Sequence, residues 1–250
     1  MSTPVRRVIA LLSAYNERRF IAQCLEHLIE HKVEAYLIDN GSTDDTVKIA
    51  ERYLGRGLLD IETMPRENNT YTWRPILERK EQLARTLDAD WFINLDPDEI
   101  RLPARKGQSL VEALGEVQAL GYNAVNFQEF TFIPTVEHPD HDHDNYMKTM
   151  RYYYPFAASP TPTQVKAWRR PAVGDVTFAF SGGHLINCAD LKIYPENFTM
   201  KHYMFLSVEH AIEKYVDKIF DPKELDGGWH RQRARLRADL IRLPSERLLR

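Results

Sequence analysis

The chain has 250 residues, 43% of them hydrophobic, enough to bury one large core or two small ones. Its 33 Lys and Arg against 36 Asp and Glu leave a formal net charge of −3, so there is no global basic signature for nucleic acid. Two cysteines, Cys24 and Cys188, lack CxxC or metal-type spacing and fit a reduced compartment. The first residues lead into too short an apolar run for a secretory signal, and there is no run of about 18 apolar residues to span a membrane. The expectation is a soluble, cytoplasmic protein.

In chain order, residues 8–13 are a short apolar run that predicts a buried strand ending at Ala14-Tyr15-Asn16-Glu17. Phe20, Ile21, Cys24, Leu25, Leu28 and Ile29 then share one face of a predicted helix. Residues 35–38 predict a second strand, which runs into Asp39-Asn40-Gly41-Ser42-Thr43-Asp44-Asp45-Thr46, a loop dense in turn and helix-capping residues. A helix carrying Val47, Ile49, Ala50 and Tyr53 follows, then a strand over 58–62 and a helix over 75–87. Residues 91–95, Trp-Phe-Ile-Asn-Leu, read as a strand buried on both faces. Strands alternating with helices predict a parallel α/β sheet.

Beyond residue 103 the pattern changes. A helix is predicted over 109–120, closed by Gly121, and an alternating strand over 123–132. Residues 134–162, rich in Pro, His, Asp and Tyr, read as a long loop or lid. Strand-like pieces cover 164–169 and 176–180, an extended piece 197–202, and a helix 207–220. Residues 229–250 carry seven Arg against two acids and are predicted to be helical.

The 91–95 strand delivers Asp96-Pro97-Asp98-Glu99, three carboxylates within four positions. Carboxylates this crowded repel one another unless cations or hydrogen bonds offset them. Asp-x-Asp puts two carboxylates on one side of an extended segment, where they can share a hard cation whose shell a pyrophosphate completes. A lone Asp-Pro-Asp is more ordinarily a solvated turn. Other weak signals are the metal-ligand chemistry of the polar loop His138-Pro139-Asp140-His141-Asp142-His143-Asp144, read as a solvated lid, and the Arg-rich end, which suits an anionic lipid surface or simple packing.

The three strand-end motifs, Ser13-Ala14-Tyr15-Asn16-Glu17, Asp39 to Thr46 and Asp96-Pro97-Asp98-Glu99, together resemble the nucleotide-sugar half of a GT-A-fold glycosyltransferase of the family 2 group, over residues 6–102. A looser match runs through Gly183-His184, His202-Tyr203, Ser207, Glu209 and Lys214. The resemblance implies a mostly parallel central sheet flanked by helices, with an antiparallel extension in the second half. It divides the chain into a nucleotide-sugar half (1–103), an acceptor and metal-completing half of the same domain (104–228), and a basic C-terminal helix (229–250).

By the same resemblance, Asp39 accepts from uracil N3–H, Ala14 and Tyr15 border the base, and Glu17 lies near the ribose. The competing reading of Asp39 and Ser42 is helix capping, and of Glu17 a first-turn acid complementing the helix dipole. Asp96 is placed toward ribose and metal, and Asp98 on Mn²⁺ or Mg²⁺ directly; Glu99 supports the turn. The proline between the two aspartates departs from the small residue usual there. His202, or secondarily His184, supplies a further metal ligand, and imidazole suits Mn²⁺ better. Arg79 or Lys80 falls where the family carries a basic residue for the diphosphate, with Lys214 and Arg74 weaker candidates. The base for the acceptor hydroxyl is sought in Glu129, an acid inside an apolar strand, then in Asp175 and Glu209.

The function implied is metal-dependent, inverting transfer from a UDP-sugar to a hydroxyl on a glycan, lipid-linked or other acceptor. Peripheral contact with the inner face of a membrane through the Arg-rich end is part of that expectation. The alternatives are a nucleotide-sugar-binding protein without turnover and a nucleotidyltransferase. The second should carry a Gly-rich basic loop after the first strand, which Ser13 to Glu17 is not.

Overall fold

A computed structural model describes residues 4–155, 161–171, 173–216 and 218–250. β1 (Val8–Ala14) is buried at every position, as a Val/Ile/Leu-rich strand covered on both faces must be. α1 (Ile21–Glu30) buries Ile21, Cys24, Leu25 and Leu28, the three-and-four spacing of one helix face. β2 (Glu34–Asp39), the short α2 (Thr46–Ala50) and β3 (Leu58–Thr63) continue the alternation, and β4 (Thr70–Tyr71) is a two-residue strand. α3 (Arg74–Thr86) leads to β5 (Trp91–Leu95), buried throughout, and one turn later comes β6 (Glu99–Leu102).

α4 (Leu110–Ala119) opens on a capping box in which Ser109 and Glu112 satisfy each other's backbone N–H groups. β7 (Ala124–Phe132), α5 (Tyr146–Thr149), β8 (Tyr153–Pro155) and β9 (Val165–Arg169) follow. β10 (Phe198–Tyr203), α6 (Val208–Tyr215), β11 (Ile219–Phe220) and α7 (Pro222–Asp226) complete the regular elements.

The chain forms two compact units. The first comprises the described residues of 1–65, 74–128 and 159–200. Its sheet runs β3-β2-β1-β5-β9-β7-β10-β6. The ladders β3–β2, β2–β1 and β1–β5 are parallel, and β5–β9 and β9–β7 are antiparallel. Its core is built from the apolar faces of β1, β2 and β5 with α1 and α4, Trp91, Leu12, Leu25 and Leu114 among them. The second unit comprises the described residues of 66–73, 129–158 and 201–250. There β8 pairs antiparallel with the end of β7, and β11 pairs parallel with β4. Tyr203 stacks on Phe132 and meets Tyr146 edge-on, which gives this unit its own aromatic core.

The expected α/β fold, a parallel sheet flanked by helices with an antiparallel extension, is therefore the one observed. Several elements differ from expectation. The first compact unit takes 74–128 and 159–200 as well as the first strands, a division by packing rather than by the functional halves expected at residue 103. The basic C-terminal helix expected over 229–250 is instead three isolated 3₁₀ turns at Arg233–Arg235, Ala238–Leu240 and Glu246–Leu248. Arg at every second position from 231 to 237 offers no apolar face of helical period. Residues 176–180 form a single bridge, Thr177 to Asn187, and a 3₁₀ turn rather than a strand. The helix expected to reach 220 ends at Tyr215. The lid expected over 134–162 contains α5 and β8, and its part at 156–160 lies outside the described residues. Among the described residues no helix is long and apolar enough to cross a membrane.

Candidate active site

The registers Ala14↔Asp39 and Leu12↔Leu95 bring the carboxyl ends of β1, β2 and β5 to one edge of the first unit's sheet, the edge where ligands of parallel sheets bind. The loops leaving β1 and β2 are stitched together there. Asn16, in the left-handed region at φ 55°, donates its backbone N–H to Ser42 Oγ (2.9 Å) and accepts from Thr43 N–H at Oδ1 (2.8 Å). Glu17 N–H donates to Thr46 Oγ1 (2.8 Å). Asp39 is 2% exposed and accepts from the backbone N–H groups of Gly41 (3.0 Å) and Ser42 (3.1 Å) through Oδ2. Its carboxylate therefore shapes its own loop as an Asx turn and caps no helix, since α2 begins at Thr46 with Asp45 as its N-cap. Tyr15 and Glu17, which flank Asn16 in sequence, are half-buried, and Ala14 is buried.

At the end of β5 the acids divide by what they touch. Asp96 accepts from Ser13 Oγ (3.0 Å) and keeps its side chain 37% exposed. Glu99 is 4% exposed; its Oε1 accepts from Lys166 Nζ (2.8 Å), and Arg101 donates to its Oε2. The Asp96–Glu99 turn closes with Glu99 N–H donating to Asp96 O (3.0 Å) and Asp96 N–H donating to Glu99 Oε2 (3.3 Å). Glu99 is thus an internal brace, as expected of a supporting acid. Arg101 is fully buried and lies 4.6 Å from the centre of the Phe127 ring. Asp98 is 6% exposed. Burial, with Asp98 and Glu99 nearby, pushes the Cys24 thiol up, so this cysteine is an inert part of the packing.

Lys80 is also fully buried. Its Nζ donates to Asn94 Oδ1 (2.8 Å) and Leu95 O (3.2 Å) and stands 3.9 Å from Asp96 Oδ1. Burial lowers its pKa to about 8 against the pull of Asp96. The expectation that Lys80 reaches a diphosphate directly gives way to an internal role, because its ammonium has no exposed surface. Arg79 is likewise engaged, with Glu62 (2.8 Å), whose carboxyl it holds below the usual range. Asn94 Nδ2 donates to Gly183 O (2.9 Å), which ties the Gly182-Gly183-His184 turn to β5. Gly183 has φ 86°, and a Cβ there would lie 2.9 Å from Asn94 Nδ2 and from Leu77 Cδ2. His184 is exposed, with Nδ1 3.1 Å from Gln164 Oε1.

In the second unit, His202 Nδ1 lies 2.8 Å from Glu129 Oε1, which also accepts from Thr131 Oγ1 (3.1 Å). Both side chains are nearly buried, at 16% and 8% exposure. A carboxylate on one imidazole nitrogen fixes the tautomer and aims the other nitrogen. The loop histidines behave differently: His141 is buried with Nδ1 2.9 Å from Thr149 Oγ1. Of the remaining base candidates, Asp175 pairs with Arg85 (3.1 Å), and Glu209 is exposed in the first turn of α6.

The first unit therefore gathers Ala14, Tyr15, Glu17, Asp39, Lys80, Asp96, Asp98 and His184, while Glu129 and His202 belong to the second. Among the described residues no three His, Cys, Asp or Glu side chains converge as a metal-holding group. The donor chemistry of Asp96 and Asp98, hard oxygens one residue apart on a turn, suits a divalent cation that takes further oxygens from a diphosphate. Sequence reasoning missed Asn16, Asn94, Arg101 and Lys166 as supports. The signal available was polarity in apolar surroundings, Asn94 within Trp-Phe-Ile-Asn-Leu and Lys166 within Val-Lys-Ala-Trp.

The sequence profile described as glycosyl transferase family 2 matches residues 10–173. A lipopolysaccharide core biosynthesis glycosyltransferase, LpsC, from Rhizobium meliloti is 27% identical over 119 residues, 48% of this chain and 40% of that protein. The uncharacterised protein MJ0544 of Methanocaldococcus jannaschii is 32% identical over 92 residues, 36% of this chain and 40% of its own length. The chain spans about two fifths of the curated relatives it matches. Among solved structures, S. aureus TarS is similar with a TM-score of 0.45 and 12% identity, covering 80% of this chain and 37% of that one. Glucosyl-3-phosphoglycerate synthase from Mycobacterium tuberculosis, in complex with Mn²⁺, UDP and glucosyl-3-phosphoglycerate, is similar with a TM-score of 0.32 and 23% identity over 50% of this chain and 44% of that one.

Proposed function

This chain belongs to glycosyl transferase family 2, and from that premise we propose that it transfers a sugar from a UDP-sugar to an acceptor hydroxyl, with a divalent cation and with inversion. The observation that carries this reading is the Asp96–Asp98 turn: two carboxylates are delivered by a fully buried strand to the edge where the β1 and β2 loops also end, and Ser13 and Lys80 hold the first of them. In this reading the loop that Asp39 shapes, with Tyr15 at its border and Glu17 toward the ribose, receives the nucleoside. Asp39 supplies the uracil acceptor through lone pairs beyond those its own loop uses.

In the first unit the residues that would hold the cation are Asp96 and Asp98, with His184 toward a phosphate. When bound, the cation neutralises the departing diphosphate. Glu129 acts here by fixing His202 rather than as a free carboxylate, since its Oε1 already serves His202 and Thr131. The Arg-rich end, with Leu240 and Leu248 exposed at 58% and 72%, suits peripheral contact with an anionic membrane on the cytoplasmic side.

The test is calorimetric titration of UDP and a panel of UDP- and GDP-sugars, in Mn²⁺ and in EDTA, against the parent chain and Asp98→Ala. Uridine-nucleotide binding that needs the cation and is weakened at least tenfold in the variant is the expected result. A folded parent that binds no nucleotide, or an Asp98→Ala chain that binds as the parent does, would sink the reading.

A further inference from the structure

The side-chain amide of Asn94 joins two parts of the candidate site in the first unit. Trp91, Ile93 and Leu95 of β5 enter the core with residues of α1 and α4, so a period of two puts Asn94 on the opposite face. There it is 4% exposed; its Oδ1 accepts from Lys80 Nζ (2.8 Å), and its Nδ2 donates to Gly183 O (2.9 Å). An ammonium can only donate and a carbonyl can only accept, so these partners fix which way the amide points. Each partner leads on to a residue at the sheet edge. The Lys80 ammonium stands 3.9 Å from Asp96 Oδ1, and the Gly183 carbonyl immediately precedes His184.

The turn that ends in His184 is also gripped from α3. Glu81, next to Lys80, is 7% exposed, and its Oε1 accepts from the N–H groups of Phe178 (2.6 Å) and Ala179 (2.8 Å). Within the turn, Gly182 N–H donates to Ala179 O (3.2 Å), Gly183 N–H to Phe178 O (3.1 Å) and Leu185 N–H to Ser181 Oγ (2.9 Å). Glu81 therefore holds the start of the turn, and Asn94 holds its end.

An amide side chain supplies an acceptor and a donor together, whereas an ionised Asp of the same shape has no donor. Hydrogen bonds in series polarise one another, so the ammonium on Oδ1 strengthens the bond that Nδ2 makes. We propose that Asn94 is a positioning residue that couples the Asp96 carboxylate, through Lys80, to the Gly182–His184 turn. A change of charge at Asp96 then alters the hold on the turn, and an anion bound at the turn alters the field at Asp96. That this coupling serves a nucleoside diphosphate rests on the transferase reading, whereas the coupling itself does not.

The experiment is hydrogen–deuterium exchange of the full, ligand-free chain. It reads the amides of Gly182, Gly183 and Leu185 against those of α1, which report on the fold as a whole. The variants are Asn94→Asp, Lys80→Met and the two combined. Asn94→Asp keeps the shape and the acceptor for Lys80 while removing the donor to Gly183 O, so it keeps the test available even if Lys80→Met fails to fold. Titration of UDP in Mn²⁺ runs beside it on the parent and on Asn94→Asp.

The expected result is exchange of the turn amides at least fivefold faster in Asn94→Asp, with α1 within twofold of the parent. Lys80→Met, which leaves Asn94 in place, should speed the same amides at least twofold, and adding it to Asn94→Asp should change them by less than twofold. Smaller effects on the turn in either folded variant, or α1 quickening in step with it, overturn the coupling. Where the parent binds UDP, a loss of affinity of at least fivefold in Asn94→Asp supports the positioning role, and a smaller loss overturns it. A parent that binds no UDP counts against the transferase reading alone, since exchange in the ligand-free chain still decides the coupling.

Discussion

Replacing Glu99 by Gln tests whether the Asp-Pro-Asp turn is braced from inside. The Glu99 side chain is 5% exposed and faces Arg101 at 0% and Lys166 at 5%, so the substitution keeps the shape and leaves two buried cations without their counter-charge. Breaking a buried pair by removing one partner costs about 3–5 kcal/mol, far more than the pair's net worth, because the remaining charge stays desolvated. For a chain of this size each kcal/mol moves the melting temperature by about 2–4 °C, so a fall of about 10 °C is expected by calorimetry or circular dichroism. The exposed pair Arg105–Glu116, at 63% and 49% exposure, supplies the control. Glu116→Gln should cost under about 1 kcal/mol. Because Asp96 N–H donates to Glu99 Oε2, the folded Glu99→Gln chain should also bind UDP and Mn²⁺ more weakly. Replacing Glu99, Arg101 and Lys166 together by Met should recover most of the stability but not the nucleotide affinity. A Glu99→Gln chain that melts within about 2 °C of the parent would refute the brace.

Gly183→Ala should lose about 2–4 kcal/mol, since the position combines φ 86° with a Cβ 2.9 Å from Asn94 Nδ2 and Leu77 Cδ2. Gly107→Ala, with φ 89° but open space around it, should lose only about 1 kcal/mol; equal losses at the two sites in chemical denaturation would contradict the tether. His230, with its folded pKa lowered to about 4, binds fewer protons in the folded than in the unfolded chain between about pH 4 and 6.5. Its contribution is therefore complete above pH 6.5 and is lost as the pH falls toward 4. His230→Gln should flatten the stability–pH curve in that window, and an unchanged slope would refute the assignment. Cys24 should resist a thiol reagent in the folded chain at pH 8 and react only on unfolding; rapid modification of the native protein at Cys24, mapped by mass spectrometry, would contradict its burial.

What the sequence made legible depended on how far each signal extends along the chain. β1 and β5 are continuous apolar runs, and α1 keeps its spacing over several turns, so their burial follows from local pattern alone. β4 and β11 have two residues each and exist only because they pair with one another across the chain, which no local pattern encodes. At Lys80 the helical pattern and the family resemblance point different ways. Ile76, Leu77, Lys80, Leu83 and Ala84 share one face of α3, and that spacing alone places the lysine inside. The resemblance marks only that a basic residue stands there, not which way it points. The Asp39 loop shows the opposite limit. Turn formation and base recognition both call for an acid at a strand end; the bonds of 3.0 and 3.1 Å from Gly41 and Ser42 N–H make Asp39 a turn former, not a helix cap, and leave lone pairs for a base.

The charges around the Asp-Pro-Asp turn explain why a strand this apolar can end in three acids. Lys80, Arg101 and Lys166 are each buried, at 0–5% exposure, and they match Asp96, Asp98 and Glu99 in number. The match is uneven in geometry. Glu99 takes two cations at hydrogen-bond distance and has no freedom left, whereas Asp96 meets Lys80 only at 3.9 Å and keeps over a third of its side chain in solvent. The Lys80 ammonium is shared with Asn94 Oδ1 and Leu95 O, both nearer to it than Asp96 Oδ1. On the proposed transferase reading, a cation would reach Asp96 through its solvent-exposed side, while the buried bonds of Glu99 hold the turn in place.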